Sequence, residues 1–506
     1  MPPKLAFVAR ALASLVLVAC AASRQRPATA PPPLEYGVKI TRALIAAHNT
    51  DLAAVRKFRE EHWSTRVPPK SAEDLERSYL EQRADMGQLT LGEVQLDAEG
   101  TSALVRSDYG DWFHLRAIFE AAPPRRVAAV RMLSIPPPAA ERAVMAGISD
   151  DEHAGQVDAF ATRLARDDRF SGVVLIALGD SLLLAKAYGL ANRDRNIPNT
   201  VETRFNIGSV NKLFTAVAVV QLAHAGRLGY CDRLARHLPG YPPPAAREVA
   251  VEHLLSHSAG LGDIFGRPFW DARARLRTPS DYVARYADGA LLFAPGSRFQ
   301  YSNFGYAVLG RVIEVASGET YAEYVRKHIY TPAGMRATGD DDVDHVGEGV
   351  AISYTQHPPH PRPMISQPTS AFPFLPIQGG PFGCGFSTAP DLRRFADALR
   401  GGKLIPASAI ADMRRARFPM LEAVSVRDSY GYGLIERQLG DERFYGHGGG
   451  GWGTNAVFWM TDSGYTVVVL ANDDPPAAER IGNLAMALIA KSSSITAPAV
   501  ARPAPP

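Results

Sequence analysis

From Phe205 to His224 the chain carries no charge except a single lysine, and a long apolar run follows that lysine. Leu213, Phe214, Ala216, Val217, Val219, Val220 and Leu222 would cover nearly every side of a helix. Such a segment predicts a helix buried in the middle of a large domain, not an amphipathic surface helix. Ser209 and Lys212 stand three apart and so share one face, a turn apart. Ser209 follows Gly208 at the start of this helix, where free backbone N–H groups and the positive end of the macrodipole favour developing negative charge. Serine is an ordinary N-cap, and a lysine one turn later is unremarkable by itself. Here, however, only nine of the 55 basic residues are lysine, no other Ser-x-x-Lys occurs, and Lys212 is the only charge from Phe205 to His224. A buried ammonium is costly unless it is paired or put to use. Serine and lysine so placed have the parts of an activated nucleophile.

The flanking chain divides by composition. Lys4 and Arg10 precede a short apolar stretch, residues 11–19, that ends at Cys20. It reads as a secretory signal over residues 1–20, too short to span a bilayer. Residues 21–34 are rich in Pro and Ala and predict a disordered tether. Two helical stretches follow, residues 41–61 and 71–86, the second opened by a capping signal at Ser71. Four alternating runs come next, at 90–96, 102–107, 112–119 and 126–133, which together predict a small α+β domain over 35–135. A proline-rich linker covers 136–150. Beyond it we expect a helix at 156–167, strands at 172–178 and 181–187, the Ser209 helix and a mainly helical middle. Residues 339–377 predict a long loop insertion. Strands return at 443–446, 454–460 and 466–470, followed by a last helix at 475–490, and residues 493–506 form a disordered tail. Strands at both ends with helices between imply that residues 151–492 form one α/β (α+β) domain. Its antiparallel sheet is assembled from both termini around a large helical insert.

Two further stretches carry chemistry. In Tyr301-Ser302-Asn303, a phenol beside a lysine ammonium can have its pKa lowered and accept a proton from a serine. The Asn303 amide can hold the lysine or a substrate carbonyl. In His447-Gly448-Gly449-Gly450-Gly451, glycines in a strand mark a place where another backbone or a ligand comes close. A bare backbone N–H there can face an oxyanion. His447 can change charge within the working pH range, which would let it hold an anionic substrate when protonated.

These three stretches, in this order, resemble the serine β-lactamase and penicillin-binding protein superfamily, with class C β-lactamases, DD-carboxypeptidases and related esterases as the nearest look. Ser209-Val210-Asn211-Lys212 matches the nucleophile motif, Tyr301-Ser302-Asn303 the Tyr-x-Asn motif and His447-Gly448-Gly449 the third-strand motif. Residues 253–261 and Ser387-Thr388-Ala389 also look like this family. The resemblance covers residues 155–489 and implies an acyl-enzyme at Ser209, with Lys212 and Tyr301 sharing the proton work. It implies substrate binding by Asn303, His447 and Gly449, and an oxyanion hole from the N–H groups of Ser209 and Gly450. Which of Lys212 and Tyr301 is the base stays open at this point. Penicillin-hydrolysing relatives usually carry lysine where His447 stands, so esterase, amidase or D-amino-acid peptidase action is expected ahead of efficient β-lactamase action. Residues 17–20 resemble a lipobox, implying lipidation at Cys20 and a periplasmic, membrane-anchored protein; ordinary cleavage after Ala22 or Ala30 is the alternative.

Other classes fit less well. His253 and His257 have a spacing that can chelate zinc, but Leu254 stands where a metalloprotease needs glutamate, so neither a metal nor a cofactor is expected. There is no Gly-x-Ser-x-Gly for a nucleophile elbow. A net charge of +3 gives no reason to expect nucleic acid. Three cysteines (Cys20, Cys231 and Cys384) are too few for a disulfide framework. The remaining alternative is a non-catalytic penicillin-binding or scaffold module on the same fold.

Overall fold

The computed structural model describes residues 34–67, 70–96, 100–144, 149–359, 367–423 and 426–490. Cys20, the signal segment, nearly all of the tether and the C-terminal tail lie outside the described residues. Among the described residues, no helix is long and apolar enough to cross a membrane.

The N-terminal unit has helices α1 (Leu34–Thr50), α2 (Leu52–His62) and α3 (Ala72–Met86). An antiparallel meander follows, with β1 (Leu89–Leu96), β2 (Gly100–Ser107), β3 (Trp112–Phe119) and β4 (Val127–Ile135) paired in chain order. Ile40, Phe58, Val105, Phe113 and Leu115 belong to its own core. The stretch expected as one helix over 41–61 is two. Asp51 takes an extended conformation between them, and its carboxylate accepts from Ala54 N at 2.7 Å, which caps a new helix.

The second sheet has eight antiparallel strands. β5 (Gly172–Leu178) and β6 (Ser181–Tyr188) come from its front end. β7 (Phe418–Ala423), β8 (Val426–Tyr430), β9 (Ile435–Leu439), β10 (Glu442–Gly451), β11 (Thr454–Thr461) and β12 (Tyr465–Ala471) come from its back. The spatial order is β7-β8-β9-β10-β11-β12-β5-β6, so the two ends of the chain meet where β12 pairs with β5. Alternation along β5 divides the core. Val173, Leu175 and Ala177 face the helical insert, in which α5 (Asn211–His224), α6 (Asn303–Ser317) and α7 (Ala389–Arg400) supply the buried apolar residues. Val174 and Ile176 face α4 (Asp150–Arg166) and α8 (Ala477–Ile489) on the other side. As its composition predicts, α5 is buried on nearly every side.

Strands β7, β8 and β9 were not expected from the sequence. The β8 and β9 runs Val426-Arg427-Asp428-Ser429-Tyr430 and Ile435-Glu436-Arg437-Gln438-Leu439 read as polar. Their inward positions include a charge pair: Arg437 grips both oxygens of Asp428 at 2.8 Å, with both side chains buried. A bidentate pair takes the place of the apolar alternation by which such strands are recognised. The described part of residues 339–377 carries more structure than a loop. Short strands Tyr354–Thr355 and Thr369–Ser370 pair, and Val343, Val350, Phe372, Phe374 and Leu375 form a satellite core with Phe386 and Trp452.

The N-terminal unit is fastened to α8 by polar contacts. Arg480 Nε meets Asp111 Oδ2 at 3.1 Å with both side chains only 3% exposed, and Arg480 also donates to the Asp85 carbonyl. Asn483 donates to Ser134 Oγ at 2.8 Å. Removing one member of a buried pair strands the other charge. Asp111→Ala should therefore destabilise the protein by about 3–5 kcal/mol. Urea unfolding checks this; a loss below about 1 kcal/mol would show that the guanidinium regains water by local opening of the interface.

Candidate active site

Ser209 sits in a single 3-10 turn, Gly208–Val210, that leads into α5. The turn is held from both sides: Asn206 Oδ1 accepts from Gly208 N at 2.9 Å, and Cys384 N donates to the Gly208 carbonyl at 3.2 Å. Gly208 has φ +50°, and a Cβ there would lie 2.9 Å from Gly450 N. A Cβ on Gly449 would run into the Ile207 carbonyl and lie 3.1 Å from Ser209 N. Glycine at both positions thus allows turn and strand to meet backbone to backbone. The pairing of β9 with β10 stops at Gly446, so from His447 onward that edge of β10 faces the Ser209 turn instead of a strand. The sequence-predicted Ser209, Gly449 and Gly450 are thereby brought together.

Lys212 is fully buried. Its Nζ lies 3.1 Å from Ser209 Oγ and 2.8 Å from Asn303 Oδ1, and it also donates to the Phe382 carbonyl. It also lies 4.7 Å from the Tyr301 ring centre and 5.3 Å from that of Tyr306. Burial lowers its pKa to about 7, against the opposing pull of Asp263 and the Cys384 thiol. The carbonyl oxygens of Asn303 and Phe382 can only accept. In the free amine the two N–H bonds therefore point at them, and the lone pair is left to receive the Ser209 hydroxyl proton.

Tyr301 and His447 depart from expectation. Burial raises the Tyr301 phenol well above 10, although Ser209 interacts with it in the opposite sense. The expected lowering by the Lys212 ammonium is not found, and the hydroxyl is a neutral donor without a well-formed hydrogen bond among the described residues. His447 is fully buried, and burial followed by the neighbouring Lys212 charge lowers its pKa to about 3. Its Nδ1 is within hydrogen-bond distance of the Gly448 carbonyl and its Nε2 is 3.2 Å from the Tyr430 hydroxyl. The expectation that it switches charge in the working range is corrected: it stays neutral, and both ring nitrogens are engaged inside the protein. His253 and His257 also separate in role. His253 Nδ1 accepts from Ala250 N at 3.2 Å, whereas His257 is buried against Tyr301 with ring centres 4.0 Å apart.

Sequence reasoning missed Asp263. It remains exposed to solvent while its two oxygens accept from Asn303 N at 3.1 Å and Asn303 Nδ2 at 3.2 Å, which fixes Asn303 Oδ1 toward Lys212. The Gly-Leu-Gly-Asp context offered no periodicity to mark it. It also missed an aromatic wall, in which Trp270 packs on Trp452 at 5.1 Å and Phe265 on Trp452 at 6.2 Å, two residues beyond Gly450. Cys231 and Cys384 are both free thiols.

Comparison with known proteins agrees with this fold. Residues 157–491 match the Beta-lactamase family. The chain is 31% identical to penicillin-binding protein 4* of Bacillus subtilis, over 62% of this chain and 70% of that protein. It is 30% identical to esterase EstB of Burkholderia gladioli, over 63% of this chain and 90% of that protein. Among solved structures, a D-stereospecific amidohydrolase from Streptomyces sp. superimposes with a TM-score of 0.55 at 26% identity, covering 66% of this chain and 98% of that one.

With Lys212 as the base, its pKa of about 7 would set the pH profile. Below that value Lys212 is protonated and cannot take the Ser209 proton; above it the lone pair is free. Hydrolytic kcat/KM should rise through about pH 7 and then level off, with no second step from His447. A pH series on a neutral ester checks this, and a profile flat from about pH 5 to 9 would exclude Lys212 as base.

Proposed function

The chain belongs to the β-lactamase family, and on that premise we propose that it is a serine hydrolase that forms an acyl-enzyme at Ser209 on esters or amides. The observation that carries this reading is the 3.1 Å approach of Lys212 Nζ to Ser209 Oγ while its other partners, Asn303 Oδ1 and the Phe382 carbonyl, can only accept. Lys212 takes the hydroxyl proton as Oγ bonds to the substrate carbonyl carbon. The oxyanion that forms is received by the N–H groups of Ser209 and Gly450. Tyr301 gives its proton to the departing oxygen or nitrogen and regains one from Lys212. Water then adds to the acyl-enzyme by the same path in reverse. Ser209→Ala should abolish hydrolysis and covalent labelling by a fluorophosphonate without lowering the melting temperature. Lys212→Ala and Tyr301→Phe should each lower kcat by about 10²-fold or more. A screen of nitrocefin, short p-nitrophenyl esters and D-alanyl peptides reads out the substrate class, and substantial turnover by Ser209→Ala would refute the assignment.

Within this class the site favours substrates with an apolar or aromatic acyl part, which Phe265, Trp270 and Trp452 would cover. A neutral His447 offers no charge to a carboxylate, so β-lactams should rank below esters and amides. Asp263 supports a second reading, in which the substrate carries an ammonium near its scissile carbonyl, as D-amino-acid amides do. The D-stereospecific amidohydrolase likeness points the same way. Asp263→Asn should then reduce kcat/KM on D-amino-acid amides about tenfold more than on p-nitrophenyl esters; an equal loss on both would limit Asp263 to holding Asn303. For location, we propose a periplasmic protein anchored through a lipidated Cys20, on the strength of the N-terminal sequence.

A further inference from the structure

Behind the Ser209 site lies a row of buried polar side chains that no step above uses. Its first member, His257, is 1% exposed and comes from the end of the short helix Val251–Leu255 and its following turn. Its Nδ1 receives the Ser302 backbone N–H at 3.1 Å, and its Nε2 lies 3.1 Å from the Tyr430 hydroxyl. That hydroxyl in turn lies 3.2 Å from His447 Nε2. The last atom of the row, His447 Nδ1, faces the Gly448 carbonyl.

The two backbone groups at the ends fix every proton between them. A backbone N–H can only donate, so His257 Nδ1 carries no proton and Nε2 does. A carbonyl can only accept, so His447 Nδ1 carries the proton and Nε2 is bare. Tyr430 then has one arrangement that satisfies both neighbours: its oxygen accepts from His257, and its O–H donates to His447. All bonds run in one direction, from Ser302 N–H to the Gly448 carbonyl. The groups facing this row are Lys212, Tyr301 and Tyr306. Tyr306 also interacts with the Tyr430 hydroxyl, but it donates its own proton to the Leu255 carbonyl at 2.9 Å, so it offers no second donor to the row. A second proton on either histidine would set donor against donor, which agrees with the downward shift of both from burial and from Lys212.

We infer that His257 and Tyr430 are positioning residues that tie the segment carrying Tyr301 and Asn303 to the strand carrying Gly450 through this one-way hydrogen-bond chain. The row joins Ser302, between Tyr301 and Asn303, to β10 at His447, three residues before Gly450. It spans the two halves of the site, one holding the proton-transfer groups and the other the oxyanion donor. This inference rests on the Ser209 hydrolase reading for its effect on turnover, but the chain of protons can be measured without it.

The test combines nitrogen-15 NMR of the histidine rings with kinetics of wild type and Tyr430→Phe, which keeps the ring and removes the bridging hydroxyl. In wild type, His257 should carry its proton on Nε2 and His447 on Nδ1, unchanged from about pH 5.5 to 9. In Tyr430→Phe the His447 Nε2 signal should move to that of an acceptor nitrogen without a donor. There kcat on the best p-nitrophenyl ester should fall about 10- to 100-fold while KM stays within about threefold. Fluorophosphonate should still label Ser209 to completion. A wild-type His447 protonated on Nε2, or a Tyr430→Phe protein with unchanged ring signals and kcat, overturns the inference. Should Tyr430→Phe fail to fold, the wild-type tautomers together with His257→Gln kinetics decide instead. Failure of wild type to label at Ser209 would count against the hydrolase reading, leaving the tautomer result to judge the chain of hydrogen bonds.

Discussion

Removing an ammonium group from water is among the most unfavourable steps a folding chain can take, and the Lys212 side chain is removed from it completely. Partners from three separate places receive it: Ser209 one turn away, Asn303 at the head of α6, and the Phe382 carbonyl from the chain before α7. These segments lie far apart in sequence, so satisfying one nitrogen obliges the helical insert to close in one arrangement. The remaining cost appears in the depressed pKa, which is also what makes the amine usable as a base near neutrality. Stability and reactivity are here two consequences of the same desolvation.

The surroundings of that amine are kept uncharged with some consistency. Tyr301 is held as a phenol and His447 as a neutral imidazole. The nearest formal charge is Asp263, which reaches Lys212 only through Asn303. A site with a single titrating group close to neutrality moves one proton at a time between well-separated states, where coupled groups would share it. The glycines of β10 contribute by absence: without side chains the strand comes up against the Ser209 turn backbone to backbone.

Much of this was legible in the sequence. The nearly all-round apolarity of residues 213–222 marked α5 as buried, and the lone lysine at its start marked the candidate site. What could not be read were features whose signal is tertiary. Strands β8 and β9 hid because Asp428 and Arg437 occupy inward positions where apolar residues are looked for. The break at Asp51 hid because a capping aspartate inside a helical pattern looks like any polar surface residue. The lowering expected for Tyr301 and the charge change expected of His447 failed because a neighbouring charge can be guessed from motifs, whereas burial cannot. Asp263 and the aromatic wall carried no pattern at all, since they come together only when residues 263–270 fold against the end of β10.

The pairing of β5 with β12 has a consequence for the order of events during synthesis. Their registered residues, such as Val173 and Leu470, are separated by nearly the whole domain. Closing so long a stretch carries an entropic cost that the nascent helical insert cannot offset early, and such non-local pairing is slow. Ser209 and Lys212 leave the ribosome well before β10 and β11, so the turn that carries them waits for Gly449 and Gly450 to pack against it. A growing chain therefore holds the Ser209 turn without the backbone it packs against until the last strands arrive, and a fragment that stops short of them leaves that turn open on one side.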